Sequence, residues 1–241
     1  MGKRFSVTAA LLIGTALVVL LHCAGKLLGG EHVSGARNAS EFFAVSVERL
    51  AEGPLDSSDV PLPVAEQALA GEQWFSLTSA TVSVAGQTDA HRANAAFVRG
   101  DLFASLGVQL SSGAVCKDPR GVILSHAFHQ RTFAGSPEVI GRTLLASGRS
   151  MQPDPVVLRI CGVAAPGFRG VRIGRPHDFW IPWDGWRDLL FPASEPESEV
   201  ARFFPVELYV RATDTHTGLL SSVGLKLQAW RRATGRPKTL A

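Results

Sequence analysis

Phe5 to Leu21 reads FSVTAALLIGTALVVLL and is the one stretch of this 241-residue chain apolar enough to enter a bilayer. The uncharged segment extends to Gly25, so Arg4 and Lys26 bracket 21 residues, about 30 Å of helix at about 1.5 Å per residue and enough to cross a hydrocarbon core. Lys3 and Arg4 precede it and no acidic residue occurs before Glu31. The positive-inside bias then puts the N-terminus in the cytoplasm and the remainder on the far side. A cleaved export signal is the competing reading, because a basic start followed by an apolar run also fits one. Small residues at the required spacing occur only at Cys23 and Gly25, and His22 spoils the neighbouring options, so an uncleaved anchor is expected. Residues 1–28 are read as a cytoplasmic stub plus transmembrane helix.

The chain beyond the run is long enough for one large domain or two small ones, with a real core. From Gly29 onward 21 Lys and Arg face 21 Asp and Glu, so the exported part is neutral. The balance is polarised, because the final 25 residues hold Lys226, Arg231, Arg232, Arg236 and Lys238 and no acid. Nucleic acid is therefore not an expected partner, since the basic cluster is a tail that reads as solvated or membrane-facing. The three cysteines, Cys23, Cys116 and Cys161, are too few for a disulfide scaffold. A Cys116–Cys161 bridge is open to an oxidising compartment, but the apolar setting of Cys161 in VVLRICGV predicts a buried free thiol.

Residues 29–216 read as one exported domain. Asn38 to Leu50 mixes helical and strand periods, and Pro63 opens a short helix to Ala70. Trp74 to Ala85 and Arg92 to Arg99 flank a polar turn at residues 86–89, which predicts an antiparallel hairpin. GDLFASLG, from Gly100, is a one-turn connector. Gly121 to Leu124 reads as a short buried strand, with Ser125 as N-cap of a helix over Ala127 to Phe133 that Gly135 and Pro137 stop. Strands are expected at Arg142 to Ala146, Pro155 to Val163, Asp178 to Trp183 and Pro205 to Thr213, the third at an edge because it carries a proline. From Thr217, Leu219, Leu220, Val223, Leu227 and Trp230 share one face of an amphipathic helix, and residues 217–241 are read as that helix plus the basic tail. The irregular mixture of strands and helices is an α+β pattern: a transmembrane helix and then a mixed, largely antiparallel sheet.

Catalytic constellations are missing. There is no phosphate loop, no G-x-S-x-G elbow, no H-E-x-x-H helix and no Cys-x-x-Cys pair. His126 and His129 lie one helical turn apart with His177 distant in sequence, which is weak spacing for zinc without a carboxylate. The pairs Asp184 with Asp188 and Glu195 with Glu197 sit in polar segments and read as solvated. No catalytic, cofactor or metal residue is assigned, and the chain reads as non-enzymatic.

Distinctive order does occur in VRGDLFASLGV from Val98, VILSHAFHQRTFAGSPEVIGRTL from Val122 and ICGVAAPGFRGVRIGRPHDFWIPW from Ile160. These resemble the MacB-like periplasmic core domain of ABC-type permeases, particularly the orphan-permease branch of the FtsX-like family. Phe103 and Leu106-Gly107 fit its "YF-LG" turn. Arg131, Phe133, Gly135, Pro137, Gly141 and Arg142 fit the "fW-R-FGGdp-viGrtl" run. Gly162-Val163, Pro166, Gly167, Phe168 and Gly170 fit "vvGV-PpgF-G", and Asp178, Trp180 and Pro182 fit "pDvWvP". By residue chemistry these positions are structural: Gly135 and Gly141 end helical turns, while Phe168 and Trp180 are large groups suited to pinning loops onto a core. The resemblance implies a periplasmic domain that works with a permease and a separate ATPase subunit, and with the one apolar run it gives the expectation of a single-pass protein of the bacterial inner membrane whose C-terminal domain lies in the periplasm, without cofactor. In the family the domain leads on to further membrane helices, which implies, as alternatives, a truncated or split permease lacking its later spans, or an exported binding or metal-dependent protein that reuses the fold.

Overall fold

The computed structural model describes residues 33–45, 62, 66–67, 69–85, 90–148, 155–171, 175–190 and 207–211. The apolar run at residues 5–21, the helix expected from Thr217 and the basic tail lie outside them, as do Glu195 and Glu197. Among the described residues no helix is long and apolar enough to cross a membrane.

Nine strands dominate the described residues: β1 Phe42–Val45, β2 Trp74–Ala85, β3 Ala90–Gly100, β4 Leu110–Gly113, β5 Gly121–Leu124, β6 Thr143–Ser147, β7 Val156–Ala164, β8 Phe179–Pro182 and β9 Glu207–Arg211. Among them lie the short helices α1 Leu102–Ser105, α2 His126–Phe133 and α3 Gly185–Leu190. The expected hairpin is β2 with β3, antiparallel from Phe75↔Gly100 to Ala85↔Ala90. β8 then pairs with β3 in parallel and with β5 antiparallel, β5 pairs with β7 in parallel, and β6 pairs antiparallel with both β7 and β2. These pairings close a ring, β2-β3-β8-β5-β7-β6 and back to β2, so none of its six strands is left with a bare edge along its whole length. Asp178 to Trp183 is thus not an edge strand, as its proline suggested. β8 is central, and Pro182 is tolerated because it is the last residue of the strand, opposite Val98.

Both long ring strands fork. The first four residues of β2, Trp74 to Leu77, pair with β9, which pairs in turn with β1, while its last three residues pair with β6. β7 likewise gives its start to β6 and its end to β4. Within Asn38 to Leu50, the described part is a single 3-10 turn at Ala39–Glu41 followed by β1.

Alternation decides which side chains face inward. Val82, Val84, Ala95, Phe97, Leu124, Leu158, Ile160, Phe179 and Ile181 belong to one buried cluster, and the residues between them point outward. On β2 the outward set Ser79, Thr81, Ser83 and Ala85 is at least partly solvated, whereas Phe75 and Leu77 on the same side are covered. Their cover is a second cluster containing Phe42, Phe103, Phe168, Trp180 and Tyr209. One face of the ring is therefore filled by strand side chains together with Phe128 of α2, Val139 and Leu189 of α3, and the other is roofed over part of its area by loops and by the β1–β9 wing.

Local signals place the helices. Ser125 is extended and its Oγ accepts from Phe128 N at 3.1 Å, capping α2, and Asp101 Oδ1 accepts from Ala104 N at 3.0 Å, capping α1. α2 ends where Ala134 and Gly135 turn left-handed at φ of 51° and 69°, as the sequence anticipates for the glycine.

Candidate functional site

The residues that carry the family-like motifs converge on the roofed face. Trp180 projects from β8 between two inward residues and stacks on Phe168 at 5.1 Å between ring centroids, with Phe103 edge-on to Trp180 at 5.5 Å and to Phe168 at 6.0 Å. The three come from a strand, from the loop after β7 and from α1, and all are buried. Aromatic pairs at such separations contribute about 0.5–1.5 kcal/mol each beyond area burial. They pin two loops to the sheet, the role that their chemistry suggested.

Polar motif residues form a second group. Arg131 Nη2 donates to Asp178 Oδ1 at 2.8 Å, and Asn94 N donates to Asp178 Oδ2 at 2.9 Å. The Asp178 backbone joins in, its N–H donating to Asn94 O and its carbonyl accepting from Ser125 N, both at 2.8 Å. One aspartate thus ties α2, β3 and the start of β8 together. The Arg131 guanidinium also lies 5.3 Å from the Phe128 ring, and that of Arg142 lies 5.8 Å from Phe133.

The three histidines do not meet as a ligand set. His126 lies near Gln130 on the α2 surface, His129 is buried with Nε2 2.9 Å from Ser136 O, and His177 is buried with Nε2 2.8 Å from Ser79 Oγ. His129 and His177 each anchor a turn or loop, and among the described residues no three His, Cys, Asp or Glu side chains gather as a metal site. Asp184 is exposed and pairs with Arg99, whose Nε also donates to Glu66 at 2.7 Å.

Cys161 corrects the sequence reading, since it is bridged to Cys116 with Cα atoms 5.9 Å apart. Val156, Leu158 and Ile160 face inward, so alternation sends Cys161 outward, where it is half-buried. It is also the extra residue of a β-bulge, because Val122 pairs with Ile160 while Ile123 pairs with Gly162. The hydrophobic run concealed that period. Beside the bridge a cleft of about 90 Å³ is lined by Asp101, Phe103, Val115, Cys116, Trp180 and Pro182, among others.

At one end of the sheet Phe42, the first residue of β1, pairs with Arg211, the last of β9. Arg211 donates from Nη2 to Glu41 Oε2 and from Nη1 to Gln73 Oε1, tying the end of β9 to the residues just before β1 and β2. The chain enters β1 and leaves β9 side by side.

The described residues thus form a closed mixed sheet with an aromatic roof and paired ends. The chain belongs to the family of MacB-like periplasmic core domains, whose model matches residues 5–217. Solved structures share the fold. The extracellular domain of the noncanonic ABC-type transporter YknZ from Gram-positive bacteria matches with a TM-score of 0.52 and 11% identity, over 75% of this chain and 87% of that one. The periplasmic region of MacB from Actinobacillus actinomycetemcomitans matches with a TM-score of 0.50 and 12% identity, over 82% of this chain and 94% of that one. No curated protein matches by sequence.

Proposed function

We propose that this chain is a non-enzymatic extracytoplasmic domain of, or accessory to, an ABC-type permease, anchored by residues 5–21 in the bacterial inner membrane and acting by mechanical coupling or partner docking. Residues 1–28 form the stub and span in this reading, 29–216 the periplasmic domain, and 217–241 an amphipathic helix and basic tail turned toward lipid headgroups. A separate ATPase subunit supplies the energy.

The observation that carries the reading is the Phe42↔Arg211 pair with its Glu41–Arg211–Gln73 cross-tie. Both chain segments depart from the same end of a closed sheet. A displacement applied there reaches β2 through side-by-side hydrogen-bonded strands, and a closed ring resists shear between its members better than an open sheet with free edges. Membership of the periplasmic-domain family and the basic residues before the apolar run support the compartment.

The test is affinity purification of the full chain from its native membrane in a mild detergent. Co-purification of a polytopic permease with a nucleotide-binding subunit is expected. Recovery as a lone protein, or release from membranes by alkaline carbonate, overturns the reading.

A further inference from the structure

The disulfide lies beside the roofed face and holds the segment that joins β4 to β5. Cys161 is fixed without it: its carbonyl accepts from Ala114 N at 3.0 Å, and the adjacent Gly162 pairs with Gly113 of β4 and Ile123 of β5. The partner segment, residues 114–120, belongs to no strand or helix. It is tied at its start by that Ala114 bond and at its end by Gly121 N to Asp118 O at 2.8 Å and Arg159 N to Arg120 O at 2.8 Å. Among the bonds described, the disulfide alone ties the middle to the sheet. Cys116 packs so closely on Gly121 that a Cβ there would sit 2.4 Å from its own Cβ, and its neighbour Val115 is 50% exposed.

Both cysteines are half-buried rather than enclosed, and Cys116 with Val115 forms the wall of the 90 Å³ cleft that faces Phe103, Ile123 and Trp180. A β-bulge at Cys161 aims its side chain out of the sheet toward that wall. A bridge that served only to hold the sheet together would add little, since the strands on either side of Cys161 are already paired.

We propose that Cys116–Cys161 is a site of thiol–disulfide exchange, a latch that holds residues 114–120 against the aromatic roof and opens on reduction by an extracytoplasmic dithiol. A thiolate of the donor attacks Cys116 Sγ from the cleft, forming a mixed disulfide and expelling Cys161 as a thiolate that takes up a proton. The second donor thiol displaces Cys116, so the donor leaves as a disulfide and both cysteines are left as thiols, with two electrons and two protons transferred. The sheet persists, because its pairing does not pass through sulfur. The freed segment uncovers Phe103 and Trp180, creating apolar surface in the midst of the family motifs. The chemistry belongs to the chain itself, and only the source of the reductant rests on its lying outside the cytoplasm.

Purified full-length protein is compared before and after dithiothreitol under native conditions, with alkylation of thiols and amide hydrogen exchange read by mass spectrometry. Cys116 and Cys161 should alkylate only after reduction. Exchange over residues 114–121 should rise by about tenfold or more while β2, β3 and β8 stay protected. The variant Cys116→Ser/Cys161→Ser should show the same pattern without reductant. Alkylation of both cysteines before reduction, reduction that proceeds only at the rate of global unfolding, or exchange that is unchanged or rises over the whole sheet would each overturn the proposal.

Discussion

The two faces of the ring are buried by different means. Inside, Val82, Ala95, Phe97, Leu158 and Ile160 arrive by strand alternation, so their burial comes with pairing the strands at all. Outside, Phe103 and Phe168 pack on Trp180 from a one-turn helix and a loop, while Phe42 and Tyr209 of the β1–β9 wing pack on Phe75. Removing the inner cluster means unpairing the sheet, whereas the roof can loosen one segment at a time. The difference assigns stability to one face and adjustable surface to the other, and the latch segment lies on the adjustable side.

Trp180 is where the faces meet, because it belongs to a ring strand and fills the roof. Trp180→Ala should destabilise the domain by about 4 kcal/mol, as expected for emptying a large buried aromatic site, measured by urea denaturation. Phe168→Ala, on the loop, should cost about 3 kcal/mol but raise hydrogen exchange mainly in the loops around Phe103 and Phe168. If Phe168→Ala instead lowers protection evenly across β2, β3 and β8, the roof is as integral as the ring, and the contrast between the faces fails.

A smaller effect probes the polar tie between the faces. Asp178 accepts from Arg131 and from Asn94 N with its side chain only 18% exposed, while the Arg131 side chain is 55% exposed. Asp178→Ala leaves the Asn94 N–H without its acceptor and should cost about 2 kcal/mol. Arg131→Ala removes an exposed partner and should cost about 0.5 kcal/mol. Both are read by urea denaturation, and equal losses would mean that the ion pair, rather than the backbone bond, carries the tie.

The ring was legible where alternation was clean. WFSLTSATVSVA with its polar turn marked the hairpin, and Ser125 announced its helix through cap chemistry. Closure was not legible, because it depends on β6 reaching both β2 and β7, and no short-range pattern encodes such non-local partners. β4, LSSG, and α3 carry too little periodicity to be seen in sequence. Cys161 shows the opposite failure: its period-2 signal was present in Val156, Leu158 and Ile160, but the continuous apolar run suggested a strand buried on both faces. The roof was legible only as residue order, since Phe103, Phe168 and Trp180 are far apart in the chain and no periodicity relates them. The resemblance to a family identified the right aromatics, and the structure supplies the reason: they touch each other.

The mildest test concerns the joint between α2 and the turn after it. Phe128 of α2 packs in the inner cluster, and Val139 re-enters that cluster after the chain reverses at Ala134 and Gly135. Ala134 is an exposed alanine held at φ 51°, where an L side chain crowds its own carbonyl at a cost of about 1 kcal/mol. Ala134→Gly removes that strain but gives the unfolded chain more freedom, so a net gain of about 0.5 kcal/mol is expected. Where the gain appears is the informative part. If α2 moves with the ring, thermal denaturation of the whole domain shifts upward. If α2 opens by itself, as roof elements are expected to, the added protection is confined to amides of residues 129–135 and the global transition stays where it was. Because the helix contributes Phe128 to the inner face, the first outcome is expected, and the second would move α2 to the adjustable side of the molecule.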